Sequence, residues 1–92
     1  MLTDETTYRA RTDVRFRTVG AEGVVVRQDT AEVIAVNDVG ASILALLRTE
    51  RRVGEIVDAL LLEYDVDRNT LRRDVETFLT ELEQAGVVEP SA

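Results

Sequence analysis

AEVIAVNDVGAS, residues 31–42, is the stretch that joins the two halves of this chain and decides its fold. Its first part is rich in β-branched residues, which predicts a short strand at residues 32–36. Asn37 then offers a side-chain oxygen to the free N–H groups of a helix that begins at Asp38. The sequence before this stretch is typical of strands, and the sequence after it is typical of helices.

Both faces of this predicted strand are nearly apolar. Ile34 and Val36 point to one side, and Val33 and Ala35 point to the other, because side chains alternate along a strand. At the margin of a sheet, this strand lacks the Lys, Pro or bulge that usually prevents pairing with another chain. We therefore expect an open edge that can accept an additional strand. Two alternatives remain open: the N-terminal segment or a second copy of the chain covers this edge.

The composition limits what the protein can do. A chain of 92 residues forms one domain with a modest core, too small for a large buried cleft. Hydrophobic residues at 45% and charged residues at 32% are typical of a folded globular protein. The sequence has no Cys and no His, which removes thiol chemistry, imidazole chemistry and the usual zinc sites. We expect no catalytic residues, no metal and no other cofactor.

The termini and the charge indicate location and partners. The N-terminus, MLTDE, lacks the basic start and apolar run of a signal peptide, and no apolar stretch is long enough to cross a membrane. We therefore expect a cytoplasmic protein with no membrane partner. The net charge is −7. Residues 53–92 carry three Arg and ten acids, whereas residues 1–52 carry eight of each, so the helical half is the acidic one.

The first half predicts a three-stranded antiparallel meander. Residues 14–19 alternate with a period of two, as a half-buried strand does. Gly20 and Gly23 can adopt positive φ and predict a tight hairpin into a second strand at residues 24–28. A turn at residues 28–31 leads to the third strand. Residues 1–12 are polar and unpatterned, which predicts a flexible N-terminal segment, although Tyr8 could anchor it to the sheet.

The second half predicts three helices. The apolar spacing changes to three and four residues, which predicts helices at about residues 38–48 and 53–64, separated by a polar break at residues 49–52. Asp67 is the expected N-cap of a third and longest helix, which Gly86 ends. Val87 and Val88 return as a short strand or pack beneath the sheet. Pro90 is expected to end the ordered chain, so residues 13–88 form the domain and residues 89–92 a tail.

The ordered set of motifs resembles one family. A third strand ends in Val36-Asn37, and the pattern continues as GASILALL at residues 40–47 and VGEIV at residues 53–57. It proceeds through YDV at residues 64–66, DVETFLTEL at residues 74–82 and GVV at residues 86–88. This set, over residues 14–88, is similar to the PqqD family and to related recognition domains of lasso-peptide pathways. The family often has a Thr or Ser cap before the second helix, where this chain has Arg52, so we expect a weaker start to that helix.

The resemblance implies a fold and a function. It implies an α+β fold similar to a winged helix-turn-helix, with the three-stranded sheet followed by three helices. It also implies that the domain binds the leader of a ribosomally made precursor peptide and delivers it to a modifying enzyme, such as a leader peptidase or a radical SAM enzyme. In the family the leader adds to the third strand, against the third helix. The residues expected to contact the leader are Glu32, Val33, Ile34, Ala35, Val36, Leu71, Arg72, Asp74, Val75, Phe78 and Leu79.

Several of these residues have a simpler interpretation. Leu71, Val75, Phe78 and Leu82 share one stripe of the third helix and are expected to be core residues first. Leu79 and Arg72 flank that stripe on one side, and Asp74 and Glu81 flank it on the other; which flank faces the leader is left open. Arg68, Arg72 and Arg73 either contact the groove or form a solvated helix start. Asp74 either pairs with a leader charge or forms a salt bridge within the domain.

Other functions compete with leader binding. A winged-helix shape suggests DNA binding through the third helix, but residues 68–85 carry three Arg and four acids, which disfavours phosphate contacts. An enzyme is disfavoured by the lack of His, Cys, a glycine-rich phosphate loop or a metal-ligand cluster. The remaining alternative is a protein–protein module that uses the same groove for another partner.

Overall fold

Two small antiparallel sheets and three helices make up the computed structural model, which describes residues 2–20 and 22–91. In chain order the elements are β1 (Thr7–Ala10), β2 (Val14–Val19), β3 (Glu22–Arg27), β4 (Val33–Val36), α1 (Asp38–Leu46), β5 (Arg51–Arg52), α2 (Val53–Leu61), α3 (Arg68–Gln84) and β6 (Val88–Ser91). The first sheet has the order β2-β3-β4, and the second has the order β5-β1-β6. The predicted α+β class and the three-stranded meander are confirmed.

The helix ends form as the sequence predicts. The Asn37 side chain accepts a hydrogen bond from the Gly40 N–H at 2.9 Å, and the Asp67 side chain accepts one from Thr70 at 3.2 Å. These caps satisfy N–H groups that have no partner inside a helix. At the end of α3, Gly86 adopts a φ of +75°, and the Val87 N–H donates to the Leu82 carbonyl at 2.9 Å. This left-handed glycine terminates the helix, as expected.

Glu55, in the first turn of α2, supports the start of this helix. Arg52 precedes the helix without a cap side chain of the usual type. Its backbone N–H instead donates to the Glu55 carboxylate at 2.9 Å. This is the reciprocal half of a capping box, in which an acid in the first turn accepts from the N-cap backbone. The helix therefore begins at Val53 despite the missing Thr or Ser.

Strands lie near both ends of the described chain. Residues 1–12 were expected to be flexible and residues 89–92 to form a tail after Pro90, but β1 and β6 pair from Thr7↔Ser91 to Ala10↔Val88. The expected break at residues 49–52 also contributes β5 to this sheet. β1 and β5 were missed because they carry little apolar alternation and pair with residues far away in the sequence. β6 begins at Val88, where a short strand was one of the two alternatives. The boundaries of the predicted domain, residues 13–88, stay a prediction; Met1, Ala21 and Ala92 lie outside the described residues.

One glycine of the predicted hairpin has a different role. Gly20 adopts a φ of +64°, but Gly23 is a buried residue of β3, paired with Thr18. A Cβ atom at Gly23 would lie 2.6 Å from Phe16 Cε1 and 2.9 Å from Val36 Cγ2. Gly23 is therefore required for close packing of the sheet rather than for the turn.

The core lies between the inner face of the first sheet, the second sheet and the three helices. Val25 and Val36 contribute from the first sheet, and Tyr8 contributes from the second. The helices contribute most of the other enclosed side chains, among them Ile43, Val53, Ile56, Val57, Leu60, Val75 and Leu79. Leu47, Val87 and Val88, outside the helices, complete this set. Because this packing fixes β4 and α3 relative to each other, it also sets the geometry of the space between them.

Candidate functional site

The edge of β4 that faces away from β3 is open within the described part of the chain. Hydrogen-bonded and non-hydrogen-bonded positions alternate along an antiparallel pair. The Arg27 N–H donates to the Glu32 carbonyl at 2.9 Å, and in this register Ile34 also pairs with Val25. The backbone groups of Ile34 therefore face β3, whereas those of Val33 and Ala35 face away from the sheet. Two residues thus present free donors and acceptors at the edge.

An apolar groove runs beside this edge. Its volume is about 290 Å³. It is lined by Ile34, Ala35, Val36, Asn37, Phe78, Glu81, Leu82 and Ala85. The groove thus lies on the inner face of β4 and is walled by the C-terminal half of α3.

Two contacts hold the walls of the groove in position. At one end, α1 starts so close to β4 that a Cβ atom at Gly40 would lie 3.0 Å from Val36 Cβ and 3.4 Å from Phe78 Cε1. At the other end, the Arg27 guanidinium donates to the Ala85 carbonyl at 3.1 Å and to the Asp29 carboxylate at 2.9 Å. Arg27 thereby ties the end of α3 to the turn between β3 and β4.

The structure brings together part of the predicted site. Glu32 lies just before β4, with its carboxylate 3.7 Å from the Arg27 guanidinium. Val33 is 65% exposed, Ala35 is exposed, Ile34 is half-buried and Val36 is buried. On α3, Phe78 is half-buried and lines the groove. These residues gather around one edge and one groove.

Four other predicted contact residues do not reach the groove surface. Leu71 is 4% exposed, Val75 and Leu79 are fully buried, and none of the three side chains lines the groove. Arg72 is held by Asp4 at 2.7 Å and by Glu76 at 2.8 Å. These bonds tie Arg72 to the N-terminal segment, and Arg72 is absent from the groove lining. The four residues therefore lie outside the groove lining, and their contact with a leader stays a prediction.

The flank of α3 that faces β4 is the one that carries Glu81. Glu81, Leu82 and Ala85 line the groove and were not among the predicted site residues. Their spacing of three, four and seven residues from Phe78 is the available sequence signal. Asp74 stands one helical turn before Phe78, is exposed, and forms no salt bridge with any described residue. This flank of α3 therefore carries two exposed carboxylates, of which Glu81 lines the groove.

Within residues 2–12, the one strand, β1, lies in the other sheet and does not pair with the edge of β4. Among residues 2–20 and 22–91, no group of three or more potential ligand side chains could hold a metal ion. Over the same residues, no helix is long and apolar enough to cross a bilayer.

Several titratable groups away from the groove have shifted pKa values. Burial, followed by the hydrogen bond to Glu83, raises the pKa of Tyr8 to about 12. A hydrogen bond from Arg11 lowers the pKa of Asp13, and the Arg52 backbone N–H lowers the pKa of Glu55. These groups belong to a loop, a helix start and the contact between the second sheet and α3, where their bonds stabilise the fold.

The fold and the site define a small α+β domain with an open edge strand beside an apolar groove. A family model described as coenzyme PQQ synthesis protein D (PqqD) matches residues 22–88, and the chain belongs to this family. The resemblance drawn from the sequence is thus confirmed. No curated protein sequence matches the chain.

Solved structures of similar proteins agree with this assignment. TbiB1 in complex with the TbiA(beta) leader peptide is 32% identical, with a TM-score of 0.81 and coverage of 91% of this chain and 98% of TbiB1. Lasso peptide synthetase B1, complexed with the leader peptide, is 24% identical, with a TM-score of 0.76. This match covers 90% of this chain and 98% of the synthetase B1 chain. The PqqD truncation of Methylobacterium extorquens PqqCD, a stand-alone recognition element for ribosomally synthesised and modified peptides, is 22% identical, with a TM-score of 0.79 and coverage of 97% and 95%. The last two similarities show the shared fold.

Proposed function

We propose that this protein binds the leader of a ribosomally synthesised precursor peptide as an additional strand on β4. The observation that carries the proposal is the open edge of β4, which lies directly beside an apolar groove. An extended peptide that joins a sheet edge gains backbone hydrogen bonds, and adjacent pockets select its side chains. Family membership supports this function, as does the 32% identity to a protein solved with a leader peptide.

The backbone register supports one arrangement of a guest strand in this proposal. The guest exchanges backbone hydrogen bonds with Val33 and Ala35, whose N–H and C=O groups face outward. Guest side chains opposite Ile34 and Val36 point to the inner face, because directly opposed residues share a face of the sheet. They enter the groove and pack on Phe78 and Leu82. The leader should therefore present apolar side chains at alternate positions.

The charged rim predicts a further feature of the leader. Asp74 and Glu81 are exposed on the flank of α3 that faces the groove. Arg72, the other candidate for a charge contact, is already paired with Asp4 and Glu76. We therefore expect a basic leader side chain near the groove, where it would favour association with the negative rim.

The protein acts in this proposal as an adaptor in the cytoplasm. It holds the leader and delivers the precursor to a partner modifying enzyme, such as a leader peptidase or a radical SAM enzyme. The pathway could produce a lasso peptide, a PQQ-like product or a related modified peptide. No residue of the groove is assigned a catalytic role.

A fluorescence-polarisation titration tests this function. The protein is titrated against labelled leader peptides from precursor genes next to its own gene, with a scrambled leader and a duplex DNA as controls. We expect saturable binding to one leader with a Kd of about 1 μM or lower, which corresponds to about −8 kcal/mol. Binding to none of the leaders, or equal binding to the scrambled peptide or the DNA, would contradict the proposal.

A further inference from the structure

The first sheet has a second open edge, on β2. The Gln28 N–H donates to the Asp13 carbonyl at 2.9 Å, so these two residues, just outside β2 and β3, form a hydrogen-bonded pair. Hydrogen-bonded and non-hydrogen-bonded pairs alternate, and the register makes Arg15↔Val26 and Arg17↔Val24 hydrogen-bonded pairs as well. The backbone groups of Arg15 and Arg17 therefore face β3, whereas those of Phe16 and Thr18 face away from the sheet. Within the described part of the chain, no strand pairs with this edge. Both margins of the sheet thus offer free backbone donors and acceptors.

A cavity lies beside the β2 edge, on the inner face of the sheet. Its volume is about 220 Å³. It is lined by Ala10, Val14, Phe16, Val25, Leu44, Arg48 and Val87. All the lining residues except Arg48 are apolar, and Arg48 is exposed, with its guanidinium carbon 5.8 Å from the centre of the Phe16 ring. The arrangement combines an open strand and an apolar cavity, as at β4, but with a cation instead of carboxylates.

The two edges of the sheet differ in charge. Arg15 and Arg17 are exposed on the outer face of β2, and neither forms a salt bridge with a described residue. Arg48 adds a third positive charge beside the cavity. At β4, by contrast, the groove is flanked by Glu81 and Asp74. The whole chain carries a net charge of −7, so a cluster of positive charge stands out from the rest of the protein. None of these three arginines forms a salt bridge with a residue that the structure describes, and together they form a basic site at this edge.

We propose that the β2 edge is a second docking site, which binds an acidic extended segment of a partner protein. The segment joins β2 through the backbone groups of Phe16 and Thr18. The residue opposite Phe16 shares its face of the sheet and inserts an apolar side chain into the cavity. The residues opposite Arg15 and Arg17 lie on the outer face and carry carboxylates. The preferred pattern is therefore acid, apolar, acid.

This site lies apart from the proposed leader site and allows both to be occupied together. β3 separates β2 from β4, so a leader on β4 and a partner segment on β2 extend the same sheet from opposite sides. The opposite charges direct the two ligands to different edges, because like charges at an interface disfavour the wrong partner. The domain would then join a basic leader to an acidic partner segment through one sheet.

NMR titration with a defined peptide tests the proposal. The probe is the peptide Ser-Thr-Glu-Leu-Glu-Thr-Ser, added up to about 1 mM, the range expected for a short weak ligand. We expect shift changes and slower hydrogen exchange at the Phe16 and Thr18 amides. A peptide with Lys in place of both Glu residues should bind about tenfold more weakly or not at all. Equal binding of the two peptides, or shift changes confined to β4, would overturn the proposal.

Three variants locate the site. Thr18→Pro removes one outward N–H group and should abolish binding of the acidic peptide, whereas Ala35→Pro removes an outward N–H at β4 and should leave it unchanged. Arg15→Glu combined with Arg17→Glu keeps the backbone and should reverse the preference between the two peptides. This charge-reversed variant tests the proposal if Thr18→Pro does not fold. Unchanged peptide preference in the charge-reversed protein would overturn the proposal. A wild-type dimer that dissociates on the same charge reversal would also overturn it, because a second copy of the chain would then occupy this edge.

The leader site is controlled separately in the same experiment. Leader binding should weaken about tenfold or more in Ala35→Pro and be kept in the charge-reversed variant. Failure of leader binding would affect the proposed function alone, and failure of acidic-peptide binding would affect the β2 site alone.

Discussion

At the residue scale, the direction of single N–H groups decides which positions of β4 matter for binding. Ala35 points its N–H away from β3, whereas Ile34 points its N–H toward Val25. Ala35→Pro should therefore keep the fold and weaken leader binding about tenfold or more, because it removes a donor from the guest interface and places a ring at the edge. Fluorescence polarisation measures the affinity, and circular dichroism confirms the fold. A folded Ala35→Pro protein with wild-type affinity would exclude strand addition at this position.

Ile34→Pro is the matched control for this substitution. It removes a hydrogen bond of the β3–β4 pair and should lower the free energy of unfolding by roughly 1–3 kcal/mol. Urea denaturation measures this loss. If Ile34→Pro were as stable as the wild type while Ala35→Pro unfolded, the deduced direction of the two N–H groups would be reversed.

Gly23 provides a second residue-scale prediction, on packing. A Cβ atom there would lie 2.6 Å from Phe16 Cε1, so Gly23→Ala should lower the free energy of unfolding by about 1–3 kcal/mol through overpacking. The double variant Gly23→Ala/Phe16→Leu lacks the phenyl ring that makes the closest contact. It should therefore recover part of the lost free energy of unfolding. Urea denaturation of the two single variants and the double variant gives the coupling energy. Additive losses would show that the two residues do not clash.

Sequence patterns predicted the edge of the site better than its helical wall. Alternation of Val33 to Val36 was enough to indicate a strand with two apolar faces. Helical spacing grouped Leu71, Val75 and Phe78 on one stripe, but only packing against the sheet determines which flank remains accessible. The buried Leu79 and the accessible Glu81 could therefore not be distinguished from spacing alone.

At the element scale, Arg27 connects three elements and sets the far end of the groove. Its guanidinium donates to the Ala85 carbonyl at the end of α3 and to Asp29 in the turn after β3. Arg27→Met retains an apolar stem but loses both bonds, which should let the end of α3 move relative to β4. We expect leader affinity to fall about fivefold, equivalent to about 1 kcal/mol, the usual net contribution of one hydrogen bond.

Arg9→Met is the control for Arg27→Met. Arg9 also pairs with a carboxylate, Glu89, at 2.8 Å, but its side chain is 57% exposed and lies in the second sheet. Exposed pairs contribute little to stability. Polarisation titrations should show wild-type leader affinity for Arg9→Met. Equal affinities for both variants would remove Arg27 from its role at the groove.

Elements with a local signal were predicted, and elements formed by distant pairing were not. The Asn37 and Asp67 caps and the terminal Gly86 mark helix ends within a few residues of sequence. The second sheet joins Thr7 to Ser91 and Tyr8 to Arg51. Such pairs depend on the fold of the whole chain, and β5, with two residues, is too short to show a period.

At the scale of the whole molecule, Tyr8 links the second sheet to α3. Its side chain is buried, and its hydroxyl donates to the Glu83 carboxylate at 3.0 Å. The pKa of Tyr8 is raised from the ordinary 10 to about 12 in the folded protein. Burial is the largest cause, and the hydrogen bond to Glu83 is the second. The phenol therefore binds its proton more tightly in the folded protein than in the unfolded chain.

This difference predicts a loss of stability at alkaline pH. Because the folded pKa is the higher one, the stabilisation is fully present below pH 10 and is lost as the pH rises toward 12. The sequence has two tyrosines and neither lysine nor cysteine, so few other side chains titrate in this range. Urea midpoints measured from pH 9 to pH 12 should fall for the wild type and change less for Tyr8→Phe, which cannot ionise. Parallel declines in the two proteins would show that Tyr8 is not the group responsible.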